Sequence, residues 1–187
     1  MARLQGFPPA GSPRPRVVIL GSFPSILSLD LGEYYGNGRN HFWTLMGLIL
    51  DFDPGMAYPE RLSRLALAGL ALWDVIASCE RVGSLDQDIR EEEPTALGEY
   101  IRDRPTIERV ALNGGKAAAS FLSHIAPELR PAKAALPAIG EILTWLPPFA
   151  PGRRILVGRL PSTSPVPTRD FRCAADKLPS WSAFLGA

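Results

Sequence analysis

The chain reads as a three-layer α/β sandwich around a central four-stranded, mostly parallel sheet, and two observations predict it. Four short, mostly apolar runs at residues 17–20, 70–73, 107–112 and 154–157 have the length of strands buried in a sheet covered on both faces. Between them lie segments with apolar residues at helical spacing, and strands that alternate with helices build a parallel sheet. With 187 residues, 46% hydrophobic and 21% charged, the sequence suits one domain over residues 1–187 with a single filled core.

Residues 1–15 are rich in Pro and Gly without periodicity and predict an irregular lead-in. The first strand, Val17 to Leu20, ends at Gly21. A helix is expected over 41–50 with Asn40 at its N-cap, and a second from Pro59 to Leu67 before the strand at 70–73. Pro94-Thr95 opens a short helix to about Arg102, the third strand follows, and an Ala-rich helix runs over 115–125. Six prolines between Pro127 and Pro151 leave room for short helices at most. After the fourth strand, Asp170 is placed to cap a last helix that Pro179 bends or interrupts before Trp181. No internal repeat is visible.

No apolar run approaches the ~18 residues of a membrane span, and residues 1–15 hold no signal-type stretch, so a cytoplasmic protein with no membrane partner is expected. Cys79 and Cys173 form no CxxC pair, and with two histidines in the chain a zinc site is hard to assemble; both thiols are expected free and buried, with no metal and no cofactor. Net charge is +1, but residues 80–108 carry nine acids against four arginines, while the chain from Pro151 onward carries six cations against two acids. A polyanion would therefore meet the C-terminal third, with Arg159 and Arg169 as candidate contacts, or both stretches are ordinary solvated charge.

Ligands of open parallel sheets sit beyond the carboxyl ends of the strands. After strand one, Gly21-Ser22-Phe23-Pro24-Ser25 offers a hydroxyl on a stiffened turn, and Tyr34 to Trp43 gathers flat rings, amides and a cation. Rings can stack on a base, and amides can hold water or read a base edge. Asp74, at the end of strand two, either accepts a hydrogen bond from a base N–H or caps a turn. Past strand four, Ser162, Thr163 and Ser164 sit between Pro161 and Pro165, a rigid loop suited to DNA phosphates.

These segments, together with Ala71 to Arg81, Gly83-Ser84-Leu85-Asp86 and Asn113-Gly114, occur in an order that resembles the hypoxanthine-DNA (deoxyinosine) glycosylase branch of the uracil-DNA glycosylase superfamily. The resemblance spans about Val17 to Pro165. It implies a uracil-DNA glycosylase-like fold and a monofunctional, monomeric repair enzyme that takes a deaminated base, hypoxanthine before uracil, from DNA. In most other branches the strand-one loop carries an Asp or Asn that positions the attacking water; Phe23 stands there in this chain. The resemblance gives that role to Asn40, with Ser22 beside it. It makes Tyr35 the ring under the flipped base, puts Phe23 and Asn113 beside the base, and sets Asp74 where uracil-specific members carry a base-reading Asn. Ser162, Thr163 and Ser164 become the DNA-intercalating loop. Val166-Pro167-Thr168 departs from the small, His-containing sequence expected next, which leaves the wedge residue open.

A neutral amide can orient water while loop donors stabilise the leaving base, so no carboxylate nucleophile is required. A lyase would need an activated lysine; of Lys116, Lys133 and Lys177, only Lys116 lies near a motif, at an expected helix start. A non-catalytic nucleic-acid-binding module of the same fold would keep the tyrosines and the basic third without needing Asn40. A nucleoside hydrolase would show an acidic metal cluster, which the sequence does not.

Overall fold

The structure is a computed structural model that describes residues 3–130 and 135–186; Pro131 and Lys133 lie outside them. Its elements in chain order are β1 (Arg3–Gln5), β2 (Ala10–Gly11), β3 (Val17–Gly21), α1 (Ile26–Leu31), α2 (Phe42–Leu50), α3 (Tyr58–Leu67), β4 (Leu70–Asp74) and β5 (Ile76–Glu80). There follow β6 (Arg90–Pro94), α4 (Leu97–Arg102), β7 (Arg109–Asn113), α5 (Gly115–His124), β8 (Ile142–Trp145), β9 (Ile155–Leu160) and α6 (Ala174–Leu185).

The main sheet has six strands in the order β2-β4-β3-β7-β9-β8, not four. Neighbours among β4, β3, β7 and β9 run parallel, and β2 and β8 pair antiparallel at the edges. Alternate residues of a strand point to opposite faces, and both faces are filled. Val18, Leu20, Val110, Leu112 and Val157 pack with Ile101 of α4 and Phe121 of α5. Val17, Ile19, Leu72 and Leu160 pack with Leu45 and Met46 of α2 and with Trp181 and Phe184 of α6. Helices on both sides explain why the middle of each inner strand is apolar, with polar residues such as Arg109, Asn113, Asp74 and Arg159 at or next to the strand ends.

Several features depart from the sequence reading for physical reasons. The lead-in is not irregular, because β1 pairs with β5 and β2 with β4; at three and two residues these strands are too short to show a pattern. A second sheet, β1-β5-β6, is likewise unforeseen, since β6 carries Glu91, Glu92 and Glu93 and reads as solvated charge. The Pro-rich segment holds β8, in which Trp145 alone of four residues is buried. α6 also runs unbroken through Pro179, and its first turn is satisfied by the Asp176 carboxylate, which accepts from Arg172 N–H at 2.8 Å and Cys173 N–H at 3.3 Å, rather than by Asp170. Cys79 is buried as expected, but Cys173 is exposed.

β3, β4, β7 and β9 end at Gly21, Asp74, Asn113 and Leu160. Their parallel register brings Gly21 beside Asp74 and Asn113 beside Leu160, so the four following loops meet at one edge of the sheet.

Candidate active site

At that edge the loops enclose a cleft of about 310 Å³, at the lower end of the ~300–1,000 Å³ common for small-molecule sites. Its walls include Ser22, Phe23, Tyr35, Asn40, Asp74, Asn113 and the loop from Ser162 to Val166. The sequence segments set apart above thus come together in space.

The floor is built on a glycine. A Cβ at Gly21 would lie 2.3 Å from Asp74 Oδ1 and 3.4 Å from the Tyr35 hydroxyl, so only hydrogen at this position lets the carboxyl and the phenol converge. Asp74 is 4% exposed, and its Oδ2 is buried without a hydrogen-bond partner among the described residues. Burial, reinforced by the charge of Asp86 and opposed by that of Arg81, pushes the Asp74 carboxyl up to about 7. An unpartnered buried carboxyl is costly and marks a place where a ligand can supply the missing bond.

Tyr35 takes a left-handed backbone, φ 54°, uncommon for a non-glycine residue and found where surrounding structure enforces it. One face of its ring stacks on Phe42, centroids 3.9 Å apart and planes 17° apart, and the residue lines the cleft. Its hydroxyl accepts from Asn113 Nδ2 at 3.0 Å. Burial and the nearby Asp74 hold the phenol neutral, well above its ordinary range.

Asn113 spends its groups on the protein. Nδ2 also donates to Thr163 Oγ1 at 2.9 Å, and Oδ1 accepts from Thr163 N–H at 2.9 Å. Asn113 therefore fastens the Ser-Pro loop to the sheet, and Thr163 is buried with its hydroxyl oxygen accepting from Asn113. Gly114 completes the joint: a Cβ there would meet Ser162 Cβ at 2.8 Å. Ser162 and Ser164 accept within their own loop, from Ser164 N–H and Val166 N–H, and keep their hydroxyl protons free to donate.

Asn40 precedes α2 by two positions, and His41 occupies the cap. The Asn40 side chain nevertheless serves the first turn, since Oδ1 accepts from Phe42 N–H at 3.0 Å. His41 N–H donates to the Thr163 carbonyl at 2.9 Å, so the same turn is pinned to the Ser-Pro loop. One lone pair of Oδ1 and the Nδ2 protons remain for a ligand or a water.

Other predicted contacts are placed differently. The ring of Phe23, 7% exposed, packs with Ile76, Cys79 and Ile89 under the Arg81 guanidinium, 5.1 Å from the centroid, so Phe23 closes the cleft wall without offering a free face. Arg159 is turned inward, donating to the Pro137 carbonyl at 3.0 Å with its Nε buried, and neither it nor the exposed Arg169 lines the cleft. Arg153 donates to the carbonyls of Ile101, Arg104 and Ile107, and Lys177, 1% exposed, donates to the Ser164 carbonyl at 2.9 Å and meets His41 Nδ1 at 2.9 Å. Arg153, Arg159 and Lys177 of the basic C-terminal third are thus bonded within the protein, while Arg154, Arg169 and Arg172 are exposed. Lys116 bonds Glu92, in keeping with its helix-start reading.

Two charged cleft residues were given no role of their own by the sequence reading. Arg39 stands exposed on the rim, and Asp86 accepts from Ser22 Oγ at 2.6 Å. Desolvation raises the Asp86 carboxyl, and the Ser22 bond with the cations Arg81 and Lys116 restrains the rise. Both residues stood inside motif segments; no periodicity signals that a loop 64 residues downstream folds back onto Ser22.

This arrangement, with its sheet order and convergent loops, defines the chain as a uracil-DNA glycosylase-like fold. A solution NMR structure of a Methanosarcina acetivorans protein, provisionally assigned as a uracil DNA glycosylase, superposes with a TM-score of 0.70 at 27% identity, covering 98% of this chain and 97% of that one. No family model matches the sequence. The hypoxanthine DNA glycosylases of Methanosarcina barkeri and M. acetivorans are each 35% identical over 114 residues, 60% of this chain and 72% of theirs. The chain belongs to the hypoxanthine DNA glycosylase family, a branch of the uracil-DNA glycosylase superfamily.

Proposed function

We propose that the cleft hydrolyses the bond between deoxyribose C1′ and a deaminated base in DNA, hypoxanthine first and uracil second, and leaves an abasic site. The observation that carries this reading is the Asp74 carboxyl, held at the cleft floor with Oδ2 unpartnered. Hypoxanthine at N1 and uracil at N3 carry an N–H donor where adenine and cytosine carry a bare nitrogen. The ionised carboxylate, the form favoured above about pH 7, accepts from the former and repels the latter. The name borne by the two archaeal relatives supports hypoxanthine as the preferred base.

Tyr35 provides the stacking face, and Asn40 orients the attacking water through the free lone pair of Oδ1. Ser162 and Ser164 take phosphates of the damaged strand. The lysines near the cleft are engaged with Glu92, His41 and Ser164, which favours water over a Schiff-base amine as the nucleophile. The enzyme acts as a monomer on this reading and uses no cofactor.

A panel of single-lesion oligonucleotides carrying deoxyinosine, deoxyuridine or deoxyxanthosine, scored for alkali-labile sites, tests the reading. Deoxyinosine is expected to react fastest and undamaged adenine not at all; equal cleavage of adenine and hypoxanthine contradicts the role of Asp74. The exposed position of Arg39 on the cleft rim supports it as a DNA-contacting cation. Arg39→Ala should weaken lesion-bearing and undamaged DNA alike and lower the salt slope by about one phosphate. Arg159→Ala should leave that slope unchanged, because its guanidinium is held by Pro137. Titrations at several salt concentrations decide between them.

A further inference from the structure

We propose that Asp86 is a second catalytic group of this cleft: its carboxylate faces the deoxyribose of the flipped nucleotide and stabilises the positive charge that grows at C1′ as the base departs. The inference rests on the glycosylase reading above and adds a residue to it.

Depth within the cleft orders the carboxylates. Asp74 is 4% exposed at the floor, beside the Tyr35 hydroxyl, whereas Asp86 belongs to the exposed loop between β5 and β6 and lines the wall, its carboxyl turned toward Ser22 and partly desolvated there. A nucleotide that enters base first keeps its base at the level of Asp74 and its sugar at the level of the mouth. Asp74 and Asp86 are the two acidic side chains among the lining residues, and the first is engaged by the base. Asp86 is also the charge that acts most strongly on Asp74, which places the two within one electrostatic neighbourhood. The Ser22 hydroxyl, donating at 2.6 Å, fixes the orientation of the Asp86 carboxylate.

In the reaction the C1′–N9 bond, or C1′–N1 in a pyrimidine, breaks with both electrons on the base. Water oxygen bonds to C1′, one water proton ends on the base, and the other stays in the new C1′ hydroxyl. Asp86 forms no bond and is unchanged. Its charge opposes the approach of phosphates, so it weakens binding and favours only the cationic transition state. That division gives a signature that a loop-pinning role does not.

Asp86→Asn keeps an oxygen to accept from Ser22 and removes the charge. Measured under enzyme excess on a deoxyinosine duplex, its rate should fall about 10²-fold, the scale of one preorganised electrostatic group. Its Kd for an undamaged duplex at low salt should be equal to or tighter than that of the wild type. Ser22→Ala, which keeps the charge but frees the carboxylate, should lose less. An Asp86→Asn protein that cleaves within a few-fold of the wild type overturns the proposal, as does one whose rate, DNA affinity and melting temperature fall together. The wild type assayed alongside keeps the two readings apart: no cleavage of any lesion overturns the glycosylase reading, while an active wild type and an equally active Asp86→Asn overturn the role of Asp86 alone.

Discussion

Replacing Asn40 with Ala will lower the single-turnover excision rate about 10²-fold or more and leave most lesion binding in place. Tyr35, Asp74 and the Ser-Pro loop do not depend on the Asn40 amide for their positions, so the base still has its floor and its stacking face. What disappears is the neutral acceptor for the attacking water. The same substitution also removes the acceptor for Phe42 N–H, worth about 1 kcal/mol at a helix start, so a modest fall in melting temperature is expected as well. Asn40→Asp should recover part of the rate, since a carboxylate holds water and favours a cationic sugar. Excision under enzyme excess and thermal unfolding of one preparation separate the two contributions: a lower melting temperature with near-normal excision removes Asn40 from the chemistry.

Asp74 couples activity to stability with opposite signs. Asp74→Ala is expected to lose about 10²–10³-fold in kcat/KM on deoxyinosine DNA, because the base N–H then meets no acceptor. For stability, the native carboxyl holds its proton up to about 7, while the unfolded chain releases it near the ordinary 3.8. Stability present in acid is therefore lost as pH rises from about 4 through about 7, on the order of 4 kcal/mol in all for this one group. Asp74→Asn abolishes the loss. The variant should melt well above the wild type near pH 8 and level with it near pH 4; an equal shift at both pH values would mean that the carboxyl is already ionised at neutrality.

Much of the fold was legible because the inner strands obey simple rules. Sheet interiors covered on both faces demand unbroken apolar runs, and β3 and β4 are such runs; Gly21 and Asp74 end them at the cleft. β1, β2 and β8 were not legible, because their pairing is set by tertiary position and not by side-chain pattern. The site divides in the same way. Asp74 stands at a strand end, Asn40 just before α2 and Tyr35 in the loop between α1 and α2, and the sequence marks such places with Gly, Pro and Asn. Asn113 and Thr163 were found as site residues but not in their fastening role, since the hydrogen bonds that consume them span 50 residues. Which cations of the C-terminal third are free was not legible, because formal charge does not tell a solvated arginine from one that donates to three carbonyls, as Arg153 does.

The central claim is that this cleft cuts one bond, C1′ to the base, and releases the base intact. The most direct measurement incubates excess wild-type protein with a duplex holding one deoxyinosine and quantifies free hypoxanthine and abasic sites by mass spectrometry. Equal amounts of the two, with no release of adenine from the matched control duplex, are predicted. Strand scission with hypoxanthine still attached to its sugar, or the absence of free base when the duplex is bound, would contradict the account.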